Sequence, residues 1–138
     1  YVAILSEMIH DVRMIPIDTG AARPHLPPKV RQWLGDSRGH WEGKTLVVDT
    51  TNFTNENPIR GSDENMHLVE RFTRVQPDMI LYQFTVDDPT AFVKPWSAEI
   101  PMLATKGPLY EYACHEGNYG MAGLLAGARA EEKRKTPK

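Results

Sequence analysis

The sequence predicts a mainly antiparallel, all-β domain: a jelly-roll sandwich or a barrel, followed by a C-terminal helix. Three observations lead there. Short runs of β-branched and aromatic residues recur along the chain, divided by Gly, Pro, Asn and Asp clusters. Helical patterns do not alternate with these runs, as a doubly wound fold requires. Only Met121 to Arg134, rich in Ala, Leu, Glu and Lys, reads as a helix.

Taken in order, Tyr1 to Ser6 is the first strand signal, and Asp11 to Ile17 the second, stopped by Asp18-Thr19-Gly20. Ala21 to Lys29 holds three prolines and reads as an extended loop, and Val30 to Leu34 as a short turn or strand. Glu42-Gly43-Lys44 is a hairpin turn between Gly39-His40-Trp41 and the run Thr45 to Thr50. Asn52 to Asn65 is a polar loop. His67 to Val75 alternates, Pro77-Asp78 turns the chain, and Met79 to Val86 returns. Ala91 to Ile100 is a strand candidate interrupted by Pro95, which suits an edge or bulge. Leu109 to Cys114 is expected to close the sheet. About eight strands then make a shell that manages its edges by closure or by pairing two sheets. The β shell occupies 1–120, and the helix with its charged tail 121–138.

A chain of 138 residues is the size of one domain and can bury a core unaided. Sixteen Lys and Arg against eighteen Asp and Glu give a net charge of -2. That balance offers no field for nucleic acid or anionic lipid. No apolar run approaches the ~20 residues of a membrane span. The single cysteine, Cys114, excludes an internal disulfide and a thiolate zinc knuckle. The chain starts at Tyr1, so we expect either a removed N-terminal segment, such as a signal peptide, or a piece of a longer product.

The chemistry-bearing residues are mainly the five histidines: His10, His25, His40, His67 and His115. On the predicted strand, His10 shares parity with Val12 and Met14. His25 sits in the stiff loop Arg23-Pro24-His25-Leu26-Pro27-Pro28, and His67 opens a strand. These three imidazoles can converge on one ion, and a thiol-free histidine set suits copper, zinc or non-haem iron. No HExxH or HxH supports this, and the structural alternative is a set of scattered surface or satisfied histidines. Glu70 alternates with Leu68 and Phe72, so a carboxylate falls on an apolar parity, where it must be paired or functional. Gln83, across the Pro77-Asp78 turn, is expected near it, the two orienting a ligand or an oxidant. A salt bridge from Glu70 to Arg71 or Arg74 is the structural alternative. Trp33, Trp41 and Trp96, with Tyr82, Tyr110, Tyr112 and Tyr119, supply rings for sugar stacking or for the core. Trp41 and Trp96 are expected nearest the surface. No nucleophile elbow, phosphate loop or P-loop occurs. Cys114 and His115, being adjacent, make a poor dyad on a strand.

His10-Asp11-Val12-Arg13, Arg23-Pro24-His25, Trp33-Leu34-Gly35-Asp36-Ser37, Trp41 to Val48, His67 to Phe72 and Asp87-Asp88-Pro89 together resemble an uncharacterised family of secreted β-rich proteins of soil bacteria. The resemblance spans roughly Tyr1 to Asn118 and implies a secreted or periplasmic setting. It puts His10, His25 and His67 inside the family's motif blocks, whereas other residues are common at the positions of His40 and His115. In size and setting the chain is also similar to compact, cupin-like copper enzymes that cleave cellulose oxidatively, although the HxH cupin motif is missing. That similarity implies copper and a polysaccharide.

The leading expectation is therefore a copper-dependent oxidoreductase cleaving a polysaccharide such as cellulose, with His10, His25 and His67 as ligands and Glu70 and Gln83 in support. Two alternatives stand beside it. One is a non-catalytic β-shell module that binds a glycan or hydrophobic ligand. The other is a zinc-dependent hydrolase or lyase. A polysaccharide is the expected partner, with neither nucleic acid nor membrane, and a homodimer is consistent with the reading.

Overall fold

Two antiparallel sheets, of two and five strands, make up the architecture, with one C-terminal helix. The computed structural model describes residues 1–20, 23–56, 61–110 and 119–135. Strands β1 (Val2–Leu5) and β2 (Val12–Ile15) form a hairpin whose connection includes a 3-10 turn, Met8–His10. Strands β3 (Asp36–Glu42), β4 (Thr45–Thr51), β5 (His67–Gln76), β6 (Met79–Asp87) and β7 (Trp96–Leu103) follow one another as a meander. Its tight turns fall at Gly43-Lys44, where Gly43 has a φ of +59°, and at Pro77-Asp78.

Because side chains alternate across a strand, register assigns every residue to a face. One face carries the cross-strand rows Ser37–Thr50–Leu68–Val86–Trp96, Gly39–Val48–Glu70–Phe84–Ala98 and Trp41–Leu46–Phe72–Tyr82–Ile100. This is the core face. Leu46 and Val48 pack with Ile15 beneath the hairpin, against Val2, Ile4, Ile17 and Phe72. Leu68 and Val86 pack with Phe53 and Met66, flanked by Phe84, Phe92 and Trp96. The opposite face is polar: Arg38–Asp49–Val69–Thr85–Ser97 and His40–Val47–Arg71–Gln83–Glu99.

The hairpin approaches the sheet closely at Gly39. A Cβ there would lie 2.7 Å from the Ile17 Cδ1 and 2.9 Å from the Ile15 Cγ2. The Gly39 amide donates to the Pro16 carbonyl, and the Asp18 amide to the Gly39 carbonyl. This pairing covers part of the β3 edge.

Helix α1 (Tyr119–Lys135) begins two residues before the expected start, and its described side chains, 120–134, are exposed. Its Ala, Leu, Glu, Lys and Arg residues are intrinsically good helix formers, which accounts for a helix without a buried stripe.

Most expected strands are present, with three corrections. His10 ends the 3-10 turn with a φ of +61° instead of lying on β2. Residues 91–95 form a loop, because the Ala91 and Phe92 amides bond the Asp88 carbonyl; β7 starts only after Pro95. Leu109 and Tyr110 are not in a strand, and the rest of the expected closing strand, with Tyr112, Cys114 and His115, lies outside the described residues. Among the described residues there are seven strands, where about eight were expected of the whole chain.

Candidate functional site

The polar face gathers a chain of charged groups at one end of β3, β4 and β5. Asp49 stands on β4 with one carboxylate oxygen 2.8 Å from the His25 Nε2 and the other 2.8 Å from the His67 Nε2. The His25 Nδ1 lies 3.1 Å from the Asp36 Oδ2. The Asp36 Oδ1 accepts from the Arg38 guanidinium at 2.6 Å. The order is thus His67–Asp49–His25–Asp36–Arg38, running from a partly exposed imidazole to a buried carboxylate and its arginine. Carboxylate oxygens thus stand within hydrogen-bond distance of both His25 ring nitrogens.

Local sequence explains how His25 reaches this place. Asn52, with a φ of +60°, donates its side-chain amide to the carbonyls of Leu26, Pro27 and Val30. Asparagine is one of the few residues that tolerates that backbone conformation. The Leu26 amide donates to the Asp36 Oδ2. The prolines stiffen the loop, and Asn52 and Asp36 tie it down on either side of the imidazole. Burial alone would raise the Asp36 pKa. The hydrogen bonds from the Leu26 amide, His25 and Arg38 outweigh it and hold the carboxyl below the usual range.

Beside this relay lies an open groove of about 470 Å³, lined by Val69, Arg71, Gln83, Thr85, Ser97 and Glu99 among others. Val69 is the register partner of Asp49 and follows His67 on the same face. Gln83 donates to Glu99 at 2.8 Å, and the Thr85 and Ser97 hydroxyls are 2.7 Å apart. At its far side Arg71 donates to Glu42, which also meets His40; the bond from Arg71, then that from His40, lowers the Glu42 pKa.

Of the residues singled out from sequence, His25 and His67 are therefore brought together through a shared carboxylate. His10 is not with them, since its hairpin packs on the core face. Glu70 and Gln83 stand on opposite faces, because Glu70 pairs with Phe84 in register and Gln83 with Arg71. The partner of Glu70 is neither Arg71 nor Arg74. Instead Arg13, from β2, reaches it with Nη2 at 2.9 Å from Oε1 and Nη1 at 2.7 Å from Oε2. The Tyr82 hydroxyl donates to the same Oε1 at 2.9 Å. Burial, and then the Glu70 charge and hydrogen bond, push the Tyr82 pKa up. Trp41 is exposed as expected, but Trp96 packs edge-on against Phe84 and Phe92 in the core.

Sequence reasoning missed Asp36 and Asp49. A signal for Asp49 existed: it interrupts the run Leu46-Val47-Val48, as Glu70 interrupts its own strand. Two imidazoles and a carboxylate are donors that zinc, copper and iron accept. Among the described residues, however, no group of three or more His, Cys, Asp or Glu side chains is arranged to hold a metal ion. None of the described helices is long and apolar enough to cross a membrane. Comparison with protein-family models, curated proteins and solved structures finds no match to this chain.

Proposed function

We propose that the protein is an enzyme acting on a hydroxyl-rich polymer, a polysaccharide such as cellulose, laid along the polar face of the five-stranded sheet. One observation carries the reading: both oxygens of Asp49 hold an imidazole Nε2, one from a tied loop and one from the solvent-facing His67. A carboxylate that orients a histidine is the usual support of a general acid or base. His67 exchanges the proton with substrate. Asp49 fixes its ring, and His25, held by Asp36, braces Asp49 from the other side. The neighbouring Arg71, Gln83, Thr85, Ser97 and Glu99 offer donors and acceptors that match sugar hydroxyls. The open groove leaves room for a chain to extend beyond it. A jelly-roll or cupin-like class belongs to the same proposal, supported by the packing of the small sheet on the core face of the larger one. So does a secreted or periplasmic setting.

Copper-dependent oxidation of the same substrate is the second reading. It is favoured by the convergence of the His25 and His67 Nε2 atoms on one carboxylate, which makes Asp49 a more natural third ligand than His10. A zinc-dependent hydrolase or lyase would use the same three groups. Among the described residues these donors are not arranged to hold an ion as they stand.

The test is product analysis on soluble cello-oligosaccharides and other glycans, run with chelator, with Cu(II) plus ascorbate, and with Zn(II). Non-oxidised products with chelator present, falling about 100-fold or more in His67→Ala and Asp49→Asn, support acid–base chemistry. Oxidised ends that require copper and reductant support the second reading, and dependence on zinc the third. No turnover in any arm, with no binding of glycans to the polar face by NMR, would sink all three.

A further inference from the structure

The core face carries two cations where its parity calls for apolar residues. Lys44 shares the parity of Leu46 and Val48, and Arg74 that of Glu70 and Phe72. Lys44 lies one step beyond the Thr45–Thr73 pair, so the register sets it opposite Arg74, and the next two strands continue the row with Ile80 and Met102. Like charges placed directly opposite across two strands repel. Among the described residues no carboxylate stands within ion-pair distance of either cation. Backbone fixes the Arg74 fork instead: its Nε donates to the Gln76 carbonyl at 3.4 Å and its Nη2 to the Pro77 carbonyl at 2.5 Å, which leaves Nη1 for a ligand. Glu70, on the same face, stands two rows away and holds Arg13.

The two cations line a groove of about 510 Å³ whose other walls are apolar: Val2, Ile4 and Leu5 of the hairpin, and Trp41, Ile80 and Met102 of the sheet among others. Among the described residues no Asp or Glu lines it. A second, more open hollow of about 420 Å³ reaches Lys44 and Arg74 from the turn side, between them and Val75, Gln76 and Pro77, and it too is without an acid. Small-molecule sites occupy about 300–1,000 Å³ and combine apolar walls with a few polar groups. The hairpin stands over one side of the groove, a concave shape that takes single molecules and not a flat bilayer. Neighbouring strands are about 4.8 Å apart, so Arg74 on β5 and Met102 on β7 are separated by about 10 Å, the reach of an alkyl chain of medium length.

We propose that this groove binds a single-chain anionic amphiphile, a fatty-acid-like monocarboxylate. Its carboxylate bridges Lys44 and Arg74 and offsets their repulsion. Its alkyl tail crosses β6 toward Met102, beneath the hairpin and beside Trp41. The site is on the opposite face from the relay and does not rest on the enzymatic reading.

The experiment uses the full chain with decanoate, 1-decanol and decyltrimethylammonium, each kept below the concentration at which it self-associates, followed by calorimetry and tryptophan emission. Decanoate should bind saturably, with a blue shift as Trp41 leaves water, and about 10-fold or more tightly than either other probe, the worth of one charge-assisted bond. The double variant Lys44→Gln with Arg74→Gln, at two exposed positions, should lose that preference and leave decanol binding unchanged. Met102→Asp, also at an exposed position, should weaken decanoate and decanol alike. The proposal is overturned if decanoate gives no saturable heat, if either other probe binds as well, or if Met102→Asp has no effect. It is equally overturned if the double variant keeps the preference, as cations that merely cover apolar surface with their stems would allow. Binding to phosphatidylglycerol-containing vesicles without binding to decanoate would assign the face to a lipid surface and overturn it too.

Discussion

Arg13→Met is the most informative single change in the buried pair. Glu70 sits in the row Gly39–Val48–Glu70–Phe84–Ala98, and its side chain is 4% exposed. The Arg13 side chain is 17% exposed, so the pair is nearly dry at one end and touches water at the other. Removing one member of a buried pair leaves an uncompensated charge and costs about 3–5 kcal/mol. Water at Arg13 places this case near the lower end, about 3 kcal/mol. Glu70→Leu should cost a similar amount by stranding the guanidinium. The double variant Arg13→Met with Glu70→Leu should cost less than either single one, because neither charge remains buried. Tyr82→Phe as a common background removes the hydroxyl that Glu70 accepts, which isolates the ion pair. Urea unfolding of the four chains gives the coupling energy, expected to exceed about 3 kcal/mol, with the double variant more stable than either single one. Single costs that add to within about 0.5 kcal/mol would refute the claim that a desolvated pair joins the hairpin to the sheet.

Three further outcomes follow from the same geometry. Gly39→Ala should destabilise by about 1–3 kcal/mol, since the new methyl group meets Ile15 and Ile17 at under 3 Å; thermal unfolding measures it. Asn52→Ala removes the side-chain clamp on the Leu26–Val30 loop and puts a less tolerant residue at a φ of +60°, for a loss of about 2 kcal/mol or more; the His25 ring resonances in NMR should broaden or shift with it. Asp36 and Asp88 both have lowered pKa values, against burial that would raise them; Asp88 is held by the Thr90 hydroxyl and by the amides of Asp63, Thr90 and Ala91. A depressed folded-state pKa contributes stability that is complete above the unfolded value, roughly 3.9, and is lost as pH falls through the folded one. Urea midpoints should therefore drop steeply below about pH 4 in the wild-type chain. They should drop less in Asp36→Asn, and an unchanged slope would argue against the Asp36 cluster.

The strands were legible where alternation and turn chemistry agreed. His67 to Gln76 and Met79 to Asp87 alternate on both sides of Pro77-Asp78, and the turn leaves few other registers. Legibility failed where a local hydrogen bond decided the outcome. Pro95 was read as an interruption within a strand, but Asp88 captures the amides of Thr90 and Ala91 and makes the preceding segment a turn. His10 was given strand parity from its neighbours, yet a 3-10 turn intervenes and changes its direction. The site was half legible for a related reason. Histidines are visible in any sequence and Asp49 leaves a trace at the end of an apolar run, whereas Asp36 is recognised only once β3 and the loop after Arg23 are placed together. Glu70 was identified as anomalous, but its partner is 57 residues away on another sheet, beyond the reach of local parity.

The two faces divide the molecule's polar groups by the kind of work each can do. On the core face Arg13 and Tyr82 both hold the buried Glu70 carboxylate, so a proton transfer there would break a paired buried charge. On the other face His67 remains partly exposed, and Asp49 and then His25 are progressively more buried behind it. A group that exchanges protons with a substrate needs access on one side and fixed orientation on the other. His67 has both, whereas His40 meets, at the longer distance of 3.2 Å, a Glu42 that is itself half exposed and held at the surface by Arg71. This contrast makes His67→Ala, and not a change at His40, the decisive variant for the polar face: chemistry that survives the loss of His67 would have to reside outside the relay.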